Sequence, residues 1–193
     1  LCALTSAVHA QETPEPLAAF AQAEMQAAGA PGLAYTVVKD GHAATYAHGT
    51  ALLGSGDPVT PDTPFVIGSV SKSFTAMAVM TLVEAGQVDL DAPISDYLGV
   101  FRSRPSGEIT IRQLLSHTSG YATRQGNETH VDRRRGEDEL ARQVNRIAQW
   151  NPRRAPGEGW EYSNANYLIL GALIEKVSGL DYADYMDTHI LRP

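Results

Sequence analysis

Cysteine occurs once in the 193 residues, at Cys2, so the chain can close no internal disulfide. No run of about 18 apolar residues occurs, so nothing in the sequence reads as a membrane-spanning helix. Positive charge is in deficit. Fifteen Lys and Arg face 22 Asp and Glu, a formal net charge of −7, which argues against a general nucleic-acid binder. Lysine itself is scarce, limited to Lys39, Lys72 and Lys176. The six histidines show no close metal-ligand spacing, so no metal and no other cofactor is expected. No Gly-x-Ser-x-Gly elbow occurs, which argues against an α/β-hydrolase triad. Internal repeats are absent. What remains is an ordinary globular composition, 43% hydrophobic and 19% charged, enough for one domain or slightly more with a sizeable core.

Along the chain, "LCALTSAVHA" (1–10) reads as the tail of a secretory signal peptide cut after Ala10, which predicts export to the periplasm or beyond. Residues 16–29 have helical spacing and end in Gly29-Ala30-Pro31-Gly32. "LAYTVVKDGHAATYAHG" reads as a hairpin turning at Asp40-Gly41. A Gly- and Pro-rich loop follows. The stretch from about Ser69 to Ala85 is apolar on most sides, which predicts a central, buried helix ended by Gly86. Thr110 is a plausible cap for a short helix. Residues 136–150 suggest an amphipathic helix. Arg133, Arg134 and Arg135, next to Glu137, Asp138 and Glu139, read as a solvated face of mixed charge. An irregular loop leads to a second apolar helix ending at Gly179, and "DYADYMDTHI" suggests a third. The expected divisions are 1–10 (leader remnant), 11–67 (helix and hairpin), 68–178 (helical part) and 179–193 (a return toward the first part).

Ser69 and Lys72 stand three residues apart, so on a helix they share a face. In a first turn, unpaired N–H groups and the positive dipole end favour an anionic oxygen. An amine in a desolvated cleft can take a proton from a hydroxyl. The pattern alone is weak, since Ser69 could equally be a cap and Lys72 a solvated residue. A cation is unfavourable at a helix start, however, and the apolar surroundings predict that Lys72 is partly buried. Tyr162-Ser163-Asn164 falls in the loop before the second apolar helix. A phenol near an ammonium loses its proton more easily, and an asparagine both donates and accepts. By itself this triplet reads better as packing at Tyr162 and a helix cap at Asn164.

Together, "GSVSKSFTAMAVMTLVEAGQVDLDAPISDYL", "ITIRQLLSHTSGY" and "PGEGWEYSNANYLILGALIEKVSG" resemble the serine β-lactamase and penicillin-binding protein superfamily. The nearest branch is that of class C β-lactamases, D-alanyl-D-alanine carboxypeptidases and related esterases. The resemblance covers roughly Leu17 to Pro193. It implies a two-lobed α+β fold, an antiparallel sheet flanked by helices plus an all-helical lobe, with Ser69 in the cleft between them. It implies Ser69 as acylated nucleophile, Lys72 as its proton partner, Tyr162 as a further general base and Asn164 as a ligand for substrate amide and Lys72. Gln125 falls near a substrate-contacting glutamine of class C enzymes. His117, in "HTSG", is read as structural. The superfamily's third motif, Lys-Thr-Gly or His-x-Gly on a later strand, does not occur among these residues, nor does the oxyanion donor of that strand. The sequence therefore resembles the N-terminal part of such an enzyme, with the C-terminal strands and helix absent. The expected chemistry is acyl transfer to a small-molecule or peptidoglycan-derived substrate: a D-Ala-D-Ala-type peptide, a β-lactam or a small ester. A non-catalytic binding homologue, or a piece inactive by itself, is the alternative. No nucleic-acid partner is expected, and the sequence assigns no oligomeric state.

Overall fold

The computed structural model describes residues 15–128 and 139–192. The leader-like residues 1–10 and the Arg133–Arg135 cluster lie outside the described residues. The chain divides into two units, residues 1–66 and 67–193.

The first unit holds α1 (Glu15–Ala27) and an antiparallel pair, β1 (Gly32–Lys39) and β2 (His42–Gly49), in register from Gly32 opposite Gly49 to Lys39 opposite His42. The turn is Asp40-Gly41, with φ of 51° and 78°. Two successive positive φ values match the right-handed twist of the strands, which is why Asp-Gly serves there. Cross-strand pairs hold the register. Tyr35 lies against Tyr46 with ring centroids 5.3 Å apart, and the Thr36 and Thr45 hydroxyls are 2.9 Å apart.

The second unit is helical. A 3-10 turn (Gly68–Val70) runs into α2 (Ser71–Glu84). Three further 3-10 turns lead to α3 (Ile111–Leu115) and α4 (Thr123–Glu128). Beyond the gap come α5 (Glu139–Ile147), α6 (Asn164–Ser178) and α7 (Tyr182–Met186), the last continuing as one π turn, Asp187–Leu191. Thr110 caps α3 through a full capping box with Gln113, as its position predicts. Gly179, with φ 74°, ends α6 in the left-handed conformation that glycine adopts most readily.

The centre of this unit is α6 rather than α2. Helix α6 packs on α2, α3, α4, α5 and α7, and Ile169, Leu170, Leu173 and Ile174 are completely buried on it. Each such side chain contributes about 1.5–3 kcal/mol relative to exposure. The expectation of a helix α2 buried on most sides is corrected. It buries Thr75, Ala78, Val79 and Leu82, while Met77 and Met80 remain 51% and 40% exposed. The physical reason is that its helical neighbours, α6 and α7, lie on one side of it. Composition cannot distinguish a helix that is apolar all round from one that is buried all round. Tyr185 and Met186 enter the helical core, and the Tyr182 and Tyr185 hydroxyls bond to Thr75 and Thr81 of α2 at 2.7 and 2.9 Å.

Candidate active site

Ser69 sits in the 3-10 turn before α2, reached through Gly68 at φ 54°. The turn runs directly into α2, so residues three apart share a face across the junction. Here that spacing places Lys72 Nζ within 3.2 Å of Ser69 Oγ, to which it donates. Ser69 is exposed and Lys72 half-buried. From the far side, Tyr162 OH comes to 2.6 Å from Ser69 Oγ, across 93 residues of sequence. Lys72 Nζ also lies 5.0 Å from the centre of the Tyr162 ring and 5.7 Å from that of Tyr167, within cation–π range. Three of the residues singled out by sequence thus form one hydrogen-bonded cluster, all within the second unit.

The electrostatics favour an ionisable phenol at Tyr162. Burial alone would push it up, but hydrogen bonds with Lys72 and Ser69 and the Lys72 charge together outweigh burial and bring it below the ordinary phenol value. The loop that carries Tyr162 is tied down on both sides. Glu161 accepts from Thr123 N and pairs with Arg154, and the Thr123 N–H and that guanidinium hold its carboxyl below the usual carboxylate range. Thr123 Oγ1 donates to the Tyr162 carbonyl at 2.6 Å. Gly126, on α4, lies so close to the start of α6 that a Cβ there would stand 2.5 Å from Asn164 N.

Residues 17–193 match the Beta-lactamase family. The chain belongs to that family. It is 37% identical over 166 residues to penicillin-binding protein 4 of Amycolatopsis lactamdurans, covering 84% of this chain and 42% of that protein. It is 36% identical over 160 residues to esterase EstB of Burkholderia gladioli, covering 76% and 41%. Among solved structures it resembles the octameric penicillin-binding protein homologue from Pyrococcus abyssi, with a TM-score of 0.78 and 33% identity over 92% of this chain and 42% of that one. The fold is therefore the β-lactamase-like α+β fold, and the chain spans about two fifths of the length of the relatives it matches.

Not every residue suggested by the family resemblance joins the cluster. The Gln125 amide is engaged by backbone: its oxygen accepts from Ala122 N at 2.9 Å and its nitrogen donates to Asn151 O at 3.0 Å. These bonds tie it to two backbone segments and leave its second N–H and second lone pair. Asn164 is the first helical residue of α6, with Ser163 in the cap position, and its amide nitrogen lies 3.3 Å from Asn127 Oδ1. Asn164 and Lys72 both line a cavity of about 590 Å³, bounded also by Ser71, Gln143, Tyr167 and Tyr182; Ser69 is not part of its wall. The cavity thus adjoins the cluster on the Lys72 side. His117 makes no hydrogen bond to Ser69 and sits in a buried polar network with Ser119, Ser163 and Asn166. Sequence reasoning missed Ser163 and Asn166. Two polar residues at the head of a strongly apolar helix were the available sign, since a polar group that is buried needs a partner.

Proposed function

We propose that this β-lactamase-family chain carries the nucleophilic half of a serine acyl-transfer site, with Ser69 as the acylated residue. The observation behind this is the double contact on Ser69 Oγ, from Tyr162 OH at 2.6 Å and Lys72 Nζ at 3.2 Å. Ser69 Oγ attacks the substrate carbonyl carbon as its proton passes to the Tyr162 oxygen, the nearest acceptor. The Lys72 ammonium stabilises both oxygens. The tetrahedral intermediate collapses, the bond to the leaving group breaks, and the leaving amine or alkoxide takes the proton from Tyr162. Water then releases the acyl group from Ser69 by the same steps. In this reading the Ser69 backbone N–H supplies one oxyanion donor, and Asn164, which lines the neighbouring cavity, binds a substrate amide. The cavity volume lies within the range of small-molecule sites.

The substrate class is a D-Ala-D-Ala-type peptide, a β-lactam or a small ester, with a broad peptidase or esterase preferred to a dedicated β-lactamase. The similarity to both a penicillin-binding protein and an esterase supports that breadth. The leader-like "LCALTSAVHA" supports action outside the cytoplasm. The test uses the full-length protein that carries this chain. It is incubated with a fluorescent penicillin and, separately, a fluorophosphonate, and its intact mass is measured. A single adduct that disappears in Ser69→Ala is expected. Absence of any adduct, or an adduct that survives Ser69→Ala, refutes the reading and favours a non-catalytic binding homologue.

A further inference from the structure

His117 contacts none of the reacting oxygens, yet the segment bearing Tyr162 is fastened to it. Glu161 N donates to His117 O at 2.9 Å, and Ser163 N donates to His117 Nδ1 at 3.2 Å. The residues on both sides of Tyr162 are therefore bonded to one residue. The His117 ring also lies against the Tyr162 ring with centroids 4.7 Å apart, and against Tyr167 at 5.2 Å. His117 itself has φ 58°, an uncommon conformation for a residue with a side chain. Strain of this kind persists only where the surroundings hold it.

The hydrogen-bond directions determine which ring nitrogen carries the proton. A backbone N–H can only donate, so Nδ1, facing Ser163 N, must be the unprotonated nitrogen. An independent chain of bonds agrees. Tyr121 N donates to Ser119 Oγ, so the Ser119 hydroxyl hydrogen is left for Asn166 Oδ1, 2.6 Å away. That makes the oxygen of Asn166 an acceptor and turns its NH₂ toward His117 Nδ1, at 3.0 Å. Ser119, Ser163 and Asn166 are completely buried, so none of these groups can turn to water instead. The proton of the neutral ring is on Nε2.

We propose that His117 is a positioning residue for Tyr162, holding the phenol against Ser69 through an unprotonated Nδ1 that accepts from Ser163 and Asn166. This rests on the acyl-transfer reading of Ser69. A proton on Nδ1 would face the Ser163 N–H, which cannot reverse. Asn166 could flip its amide to accept from a protonated ring, but the bond beside Tyr162 would still be lost. The titratable groups facing the ring are Lys72 from α2, Tyr162 from the loop and Tyr167 from α6. Burial, and then the Lys72 charge, keep the imidazole below its ordinary value, so the neutral form is the working one at neutral pH.

The test measures single-turnover acylation by the fluorescent penicillin in the full-length wild type, His117→Leu and His117→Gln, from about pH 5 to 8. His117→Leu is expected to slow acylation at saturating probe about tenfold to a hundredfold, with apparent probe affinity little changed. The side-chain carbonyl introduced by His117→Gln can still accept from Ser163 N, so this variant should recover much of the rate. It should also lose the additional fall in rate, steeper than the limb set by the Tyr162 phenol, that the wild type shows as pH drops below the ordinary imidazole value of about 6.5. An unchanged rate in His117→Leu, or the same additional steepening retained in His117→Gln, overturns the proposal. If both variants fail to fold, nitrogen NMR of the wild-type imidazole decides: Nε2–H supports it and Nδ1–H overturns it. A wild type that forms no Ser69 adduct removes the acyl-transfer reading instead, a distinct outcome, and with it any catalytic role for His117.

Discussion

Replacing Tyr162 by Phe removes a single oxygen, the one 2.6 Å from Ser69 Oγ. The aromatic ring stays and keeps its packing on His117 at 4.7 Å. If Tyr162 takes the Ser69 proton, the change removes a general base worth about 10²–10⁴ in rate, or roughly 3–5 kcal/mol of barrier. Its effect on folding should be far smaller. The phenol is half-buried and its hydrogen bond contributes about 0.5–1.5 kcal/mol, a shift in Tm of a few degrees at most. The assay is stopped-flow acylation by the fluorescent penicillin, with a thermal melt of the same sample. In the wild type the rate should rise with pH and level off below the ordinary phenol value of about 10, because the bonds with Lys72 and Ser69 and the Lys72 charge more than offset the upward push of burial. The sign follows from the deprotonated oxygen being the base. Tyr162→Phe should lose this dependence. Acylation within threefold of wild type, about 0.7 kcal/mol, would refute Tyr162 as the base.

Three further outcomes are expected. Gly120→Ala places a Cβ 2.1 Å from Arg154 O at a residue with φ 85°; left-handed strain of about 1–2 kcal/mol plus overpacking of about 1–3 should lower Tm by roughly 10 °C, read by calorimetry. Gly126→Ala drives a Cβ to 2.5 Å from Asn164 N and 2.7 Å from Ser163 Oγ; by displacing the segment that bears Tyr162 it should slow acylation at least about tenfold, measured by stopped flow. Thr110→Ala deletes the capping box of α3 and should cost about 1 kcal/mol, some 2–4 °C in a melt, while acylation is unaffected.

Much of this protein was legible because it is local. Asp40-Gly41 specifies a hairpin through the φ values its two residues tolerate, and the register follows from the turn. Thr110 with Gln113, and Gly179, mark helix ends by chemistry confined to one turn. Ser69 and Lys72 meet because residues three apart share a face where the 3-10 turn runs into α2, and this is a matter of spacing. The stretches that resemble the superfamily pointed to the family for the same reason: they are short and contiguous.

Other features depend on contacts that sequence spacing does not encode. α2 and α6 have similarly apolar compositions, yet only α6 has neighbours on most sides, because burial depends on what surrounds a helix. Gln125 stands near a position that suggests substrate binding, and in the fold its amide also bonds to the backbone of Ala122 and Asn151. His117 and Asn166 are unremarkable as letters. They become a matched pair only when folding buries them together and each must find a partner for its polar atoms. The sequence alone pointed to the family, the hairpin turn, the helix ends at Thr110 and Gly179, and which serine has a lysine one turn away. The tertiary structure decided that Tyr162, 93 residues along the chain, closes on that serine, because hydrogen bonds from Glu161 and Ser163 to His117 and from Thr123 to Tyr162 hold it there.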